Sequence, residues 1–202
     1  MKLAAPVMPV LPGLPGADAP GVAFLPDPPK PGGVIEKGEL GILHAIEKTR
    51  TPSGDSWARK MDTDGVFKAW WNMASEYRKD VGFLKGVAGT ALLGGTLALD
   101  AAVMGAEKLK HNRQRPFEVD PTLHPLFTES SNSYPSGHAS TAFAAARIMA
   151  HLDPDDASKY FTFASSVAGS RGYAGVHFPS DVVAGAALGD GVARKVLEKL
   201  NR

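Results

Sequence analysis

The chain contains no cysteine, which excludes disulfide bonds, thiolate nucleophiles and zinc sites built on cysteine. Charge of neither sign prevails: 22 Lys and Arg against 21 Asp and Glu leave a net charge of +1. No global field points to nucleic acid, so any attraction for an anion must be local. Long hydrophobic runs are scarce. Only Gly86 to Ala106, GVAGTALLGGTLALDAAVMGA, has the length to cross a bilayer, and Asp100 inside it would be costly in lipid. The run is expected as the buried central helix of a soluble protein, its glycines permitting close helix packing. No stretch of any length alternates apolar and polar residues as a half-buried strand does. Proline is sparse beyond residue 33, since more than half of the sixteen prolines fall in Met1 to Gly33. That density forbids a continuous helix and marks residues 1–33 as an irregular leader, with Phe24-Leu25-Pro26 best placed to pack on the core. Prolines also break the apolar stretch after Lys2, and no clear cleavage site follows, so the leader does not read as a signal peptide.

What is present is mostly helical signal. At 202 residues and 44% hydrophobic content, the chain suits one domain over residues 34–202 with a sizeable core. Glu36 to Thr49 carries Leu40, Leu43 and Ile46 at helical spacing, and Thr51 to Asp55 reads as a turn. Asp62 to Asp80 repeats Val66, Trp70, Met73 and Tyr77, with Phe67, Trp71 and Ala74 alongside. Packing is the expected work of this stripe and of Trp57. Ala139 to Leu152 reads as a buried helix, Asp153 to Asp156 as the cap of the next. A last helix from Pro179 to about Leu200 offers Val182, Val183, Ala186, Leu188, Val192 and Val196 for burial. The consistent expectation is a single-domain all-α helical bundle. His44, His111, His124 and His151 show no ligand spacing and read as surface or satisfied side chains.

Three stretches carry chemistry. In Ser170 to Asp181, SRGYAGVHFPSD, a helix beginning at Pro179 places Asp181 one turn beyond His177. The carboxylate then holds one imidazole nitrogen and leaves the other free to attack, with Arg171 near enough to meet the same anion. Lys108 to Pro116 holds four cations, Lys108, Lys110, Arg113 and Arg115, without an acid among them. Arginine forks and lysine charges suit a phosphoryl group, and Pro116 is expected to end the helix. By itself this segment is better read as a solvated basic helix end, which complements the helix dipole. In Pro135-Ser136-Gly137-His138, a turn opens a helix whose free N–H groups can face an anion, with His138 able to give or take a proton.

Taken together and in order, Lys108 with Arg115-Pro116, Pro135-Ser136-Gly137-His138, and Ser170-Arg171 with His177 and Asp181 resemble the type 2 phosphatidic acid phosphatase superfamily without a substitution. That superfamily joins bacterial nonspecific acid phosphatases, lipid phosphatases and vanadium haloperoxidases. The resemblance implies a helical bundle of that type and a phosphohistidine formed on His177, with Asp181 fixing its tautomer. It further implies that Lys108, Arg115 and Arg171 neutralise the phosphoryl oxygens, that Ser136 and the Gly137 amide add hydrogen bonds, and that His138 protonates the leaving oxygen and then activates water. No metal or other cofactor is implied; vanadate would bind as a phosphate mimic.

The branch is divided. Asn132-Ser133-Tyr134 and Leu25-Pro26-Asp27-Pro28-Pro29 resemble the soluble, secreted bacterial acid phosphatases, whereas Gly175 to Asp181 and the following Val-Val-Ala-Gly resemble the lipid phosphatase and haloperoxidase side. The leading expectation is a metal-independent phosphomonoesterase, periplasmic or secreted, acting on a small phosphorylated substrate, with lipid or isoprenoid phosphates included. Membrane contact and a homo-oligomer stay open, and nucleic acid is not a partner. The alternatives are a vanadium-dependent haloperoxidase using the same pocket and a non-catalytic phosphate-binding protein. Lys110 and Arg113 are outside the superfamily pattern and are expected at most to steer substrate.

Overall fold

The computed structural model describes residues 25–202, and every regular element in it is helical. The part of the leader before Leu25, Phe24 included, lies outside the described residues. Small side chains decide how the bundle packs. Helices α6 (Gly137–Leu152) and α8 (Pro179–Leu200) form the central pair, with α7 (Ala157–Tyr173) and α4 (Phe83–His111) against them. Ala139, Ala142, Ala144, Ala145 and Ala146 of α6 are fully buried. A Cβ on Gly185 or Gly189 of α8 would stand 2.3 Å from the Ser136 carbonyl oxygen or 1.9 Å from that of Ser140. The two backbones therefore touch, which only glycine allows at those positions. Around this pair lie α1 (Val34–Lys48), α2 (Pro52–Asp64), packed on α7, and α3 (Lys68–Val81), packed on α4; a one-turn α5 (Pro116–Val119) follows the basic stretch.

Several local expectations change. Thr51 to Asp55 is not a free turn but the start of α2. Thr51 Oγ accepts from the Gly54 N–H and Pro52 occupies the first helical position, a cap that typically contributes about 1 kcal/mol. Asp62 to Asp80 is two helices, because the chain turns at Gly65, whose carbonyl accepts from Trp70 Nε1 at 2.9 Å. Trp70 is buried as expected, while Phe67 and Trp71 face solvent. Pro116 does not end the preceding helix: Asn112, at φ 45°, does so, and Pro116 opens α5. Val183 is exposed; the other apolar residues expected on the buried face of α8 are buried or half-buried.

The largest correction concerns Gly86 to Ala106. It forms the body of α4, yet α4 is not the buried central helix. Its buried residues, Gly86, Gly89, Leu93, Thr96, Asp100 and Glu107, make one stripe at three- and four-residue spacing, while Phe83, Leu84, Val87 and Leu99 are exposed. Asp100 points inward, accepting hydrogen bonds from Ser140 Oγ at 2.6 Å and Thr141 Oγ at 3.3 Å. Because the acid is satisfied by α6, it does not make the outer face of α4 hostile to an apolar surrounding.

Candidate active site

The three sequence stretches meet at one end of the bundle, where α4 finishes and α6 and α8 begin. Pro179 takes the first position of α8 as expected, and Asp181, in its first turn, accepts from the Phe178 N–H at 2.9 Å. His177 precedes this turn and is 1% exposed. Its Nε2 lies 3.0 Å from Arg115 Nη1. A guanidinium only donates, so Nε2 carries the lone pair and the proton sits on Nδ1, which faces Asp181 Oδ2 at 3.5 Å. That is longer than a made hydrogen bond, and the same oxygen already accepts from Ser133 Oγ at 2.6 Å as well as from Phe178. Burial pushes the imidazole pKa down to about 4; Asp181 opposes the shift, and the Arg115 and Lys108 charges reinforce it. His177 is therefore held neutral near pH 7. Burial alone would raise the Asp181 carboxyl, but His177, Arg113 and Ser133 hold it below the usual carboxylate range.

Arg115 and Arg171 are wholly buried. Arg115 is pinned by the Ser131 carbonyl at 2.8 Å and the Val176 carbonyl at 2.8 Å. Arg171 reaches in from the last turn of α7, its Nε on Ser170 Oγ. Lys108, from the last turn of α4, donates to the Asn132 carbonyl, and Asn132 Nδ2 donates back to the Lys108 carbonyl at 3.0 Å. The Lys108 stem lies alongside Gly137, where an added Cβ would meet it at 4.0 Å. Ser136 caps α6, its Oγ 3.5 Å from the Ala139 N–H, and its own N–H donates to the Asp181 carbonyl at 2.9 Å. This last bond locks the start of α6 to the first turn of α8. Of the residues expected at the site, the structure gathers Lys108, Arg115, Gly137, Arg171, His177 and Asp181 directly, and Ser136 through that lock.

His138 lies beside Asp62 and Glu129. Its Nε2 is 3.3 Å from both the backbone oxygen and Oδ1 of Asp62, at the end of α2. Burial and the Arg171 charge lower its pKa, against the opposing pull of Glu129 and Asp62. Asp62 Oδ1 also accepts from Arg171 Nη1 at 2.7 Å, and Glu129 bridges Arg115 Nη2 at 2.7 Å and Arg171 Nη1 at 3.3 Å. Asp62, Glu129 and His138 are the one group among the described residues with the donors to hold a metal ion. The Arg171 guanidinium already lies against both carboxylates, so an added cation would have to displace or oppose it.

Sequence reasoning missed Asp62, Glu129, Ser133 and the true place of Arg113. Arg113 is no steering group on the surface: it is 6% exposed. Its Nη1 is 2.7 Å from Asp181 Oδ1 and its Nη2 is 3.0 Å from Glu39 Oε2 and 3.6 Å from Glu36 Oε2. Its plane lies over the Phe178 ring at 3.9 Å. Glu39 also accepts from the Ser180 N–H at 2.6 Å, so α1 presents acids, not only leucines, to the bundle. Glu129 had a signal, being the one charged residue in the polar loop Thr128 to Tyr134 before the Pro-Ser-Gly-His turn. Asp62 had none, because 76 residues separate it from His138. His44, His111 and His124 are satisfied by carboxylates, as expected.

Comparison with known proteins identifies the family and the fold. The family model described as "PAP2 superfamily" matches residues 89–199. An acid phosphatase of Zymomonas mobilis is 38% identical over 95 residues, 44% of this chain and 35% of that protein. A lipid A 1-phosphatase of Porphyromonas gingivalis is 37% identical over 98 residues, 46% of this chain and 20% of that protein. The match thus spans only about a third and a fifth of these curated relatives. Among solved structures, the transmembrane PAP2-type phosphatidylglycerolphosphate phosphatase of Bacillus subtilis has a TM-score of 0.64 at 22% identity, covering 84% of this chain and 87% of that one. LpxE of Aquifex aeolicus gives 0.68 at 25% identity, covering 79% and 94%. A bacterial vanadium-dependent iodoperoxidase gives 0.72 at 19% identity, covering 87% and 51%.

These likenesses overturn the expected periplasmic or secreted localisation of a soluble chain. The fold is shared with a protein that is transmembrane, and the segment Phe83–Val119 containing α4 is long and apolar enough to cross a membrane, with only 22% of its most apolar stretch buried. Since the family match covers more than half of the sequence, on a helical frame common to all three structures, the chain belongs to the PAP2 superfamily.

Proposed function

We propose that the chain is a phosphatase acting on phosphate monoesters through a phosphohistidine on His177, with no metal in the reaction. The observation that carries this reading is the state of His177: buried, neutral, its Nε2 lone pair held at a guanidinium and its Nδ1 turned toward Asp181. In the first step the Nε2 lone pair forms the N–P bond as the ester O–P bond breaks, and the departing oxygen takes a proton from His138. Asp181 stabilises the positive imidazole that results. In the second step His138 takes a proton from water, the oxygen of that water bonds to phosphorus, and the N–P bond returns its electrons to Nε2. Lys108, Arg115 and Arg171 neutralise the equatorial oxygens throughout, the role metal ions fill in other phosphoryl transfers. Ser136 and the Gly137 amide complete the seat at the start of α6.

The two partial relatives frame the substrate: one is named an acid phosphatase and the other a lipid A 1-phosphatase. A phosphorylated small molecule or lipid fits both. No specific observation favours the haloperoxidase, since the iodoperoxidase likeness is one of fold alone. The test is phosphate release by the full chain in EDTA from p-nitrophenyl phosphate and from a short-chain phosphatidic acid. Release from either is expected, and His177→Ala should reduce it by about 10⁴-fold or more with the thermal unfolding transition kept. Turnover retained in His177→Ala excludes the nucleophile, and turnover lost in EDTA but restored by a metal excludes metal independence.

A further inference from the structure

The phosphoryl seat contains an anion of the protein's own. Glu129 places Oε2 on Arg115 Nη2 and Oε1 near Arg171 Nη1, so one carboxylate spans the two guanidiniums that the proposed reaction assigns to phosphate oxygens. A carboxylate uses the same forked donors as two oxygens of a phosphoryl group. The loop bearing it also supplies the Ser131 carbonyl and hydroxyl that pin Arg115. Glu129 itself is 22% exposed, so its side chain has solvent on one side to move into. Arg171 Nη2 is a buried donor with no acceptor in the described residues. The carboxylate therefore satisfies the pair of arginines only in part, and a phosphoryl group with more oxygens can offer what it does not.

From this geometry we propose that Glu129 is a built-in competitor for phosphate: it leaves the arginines when a phosphoryl group enters and returns as inorganic phosphate departs. This rests on the reading of the pocket as a phosphoryl site. A site populated mainly by its own carboxylate binds any anion with an affinity reduced by the fraction of molecules in which the carboxylate is out. The reduction applies to product as well as substrate. A substrate offsets it with contacts from the rest of its structure, whereas inorganic phosphate has only its oxygens. The consequence is rapid clearance of product and weak product inhibition, without any change in the groups that perform the chemistry.

Glu129→Gln keeps the shape and one acceptor but removes the charge, and Glu129→Ala removes both. Inorganic phosphate is titrated calorimetrically into the full wild-type chain and both variants, and its competitive inhibition constant is measured wherever turnover occurs. Both variants are expected to bind phosphate about tenfold or more tightly than wild type, the scale of one charge-assisted contact. Unchanged or weaker binding overturns the proposal and makes Glu129 an aligner of the arginines instead. Tightening in a chain that hydrolyses neither substrate leaves the competitor standing and sinks the hydrolase. Turnover without tightening sinks the competitor alone, and phosphate binding in none of the three proteins sinks both.

Discussion

Helices α4 and α8 are both long, apolar and supplied with glycine, yet the close glycine contacts build the site in only one of them. In α8, Gly185 and Gly189 press on the carbonyls of Ser136 and Ser140, and in doing so bring the start of α6 against the first turn of α8. His177, Asp181 and Ser136 are fixed by that contact. In α4, Gly86 and Gly89 pack against Arg78 and Tyr77, but a Cβ on Gly94, Gly95 or Gly105 would meet nothing within 4 Å. Gly94 and Gly95 are exposed, as are Leu99 and Val87 of the same helix. Glycine contacts in α8 join the two helices that carry the site, whereas in α4 glycine serves both a close seam with α3, through Gly86 and Gly89, and an open flank, through Gly94 and Gly95.

The difference can be broken most forcefully at the site end, through Arg113. Arg113→Ala leaves Asp181, Glu39 and Glu36 buried without their cation, and a buried pair broken from one side costs about 3–5 kcal/mol. Denaturant unfolding should register a loss of that size; a change below about 1 kcal/mol would mean that the cluster is not a structural tie.

Acid should also act on the site end first. The His177 pKa is depressed to about 4 from 6.5, so the unfolded chain binds more protons between those values. The stabilising contribution is complete above about pH 6.5 and is lost as pH falls toward 4. The same neutral imidazole should keep the nucleophile active to about pH 4. A His177 titration by NMR near 6.5 would contradict both expectations.

The smallest effects make the sharpest contrast. Gly189→Ala forces α6 and α8 apart and should destabilise by about 1–3 kcal/mol, lowering turnover with it because Ser136 and His138 shift. Gly94→Ala should stabilise by about 0.5–1 kcal/mol, since it adds helix propensity in open space. Like signs for the two substitutions in parallel melts would erase the distinction drawn between the helices.

Much of the site was legible because its residues lie in short runs whose local geometry is fixed by chain chemistry. Pro179 begins a helix, so Asp181 falls one turn from His177; Ser136 caps α6, so Gly137 and His138 open it. The residues that were not legible act across the chain. Asp62 meets His138, the loop residue Glu129 meets Arg115 and Arg171, and Glu39 meets Arg113, each pairing made only when these segments come together in the folded bundle. Gly86 to Ala106 misled for the related reason that hydrophobicity reports what can be buried, not which face finds a partner.

The sequence by itself determined the helical class, the starts of α6 and α8 and the three motifs, because propensity, capping and spacing are local properties of the chain. Tertiary structure alone decided that α6 and not α4 lies at the centre. It also decided that Arg113 is an internal tie and that the arginine pair is already occupied by Glu129, because burial and long-range charge pairing exist only once helices distant in sequence share a surface.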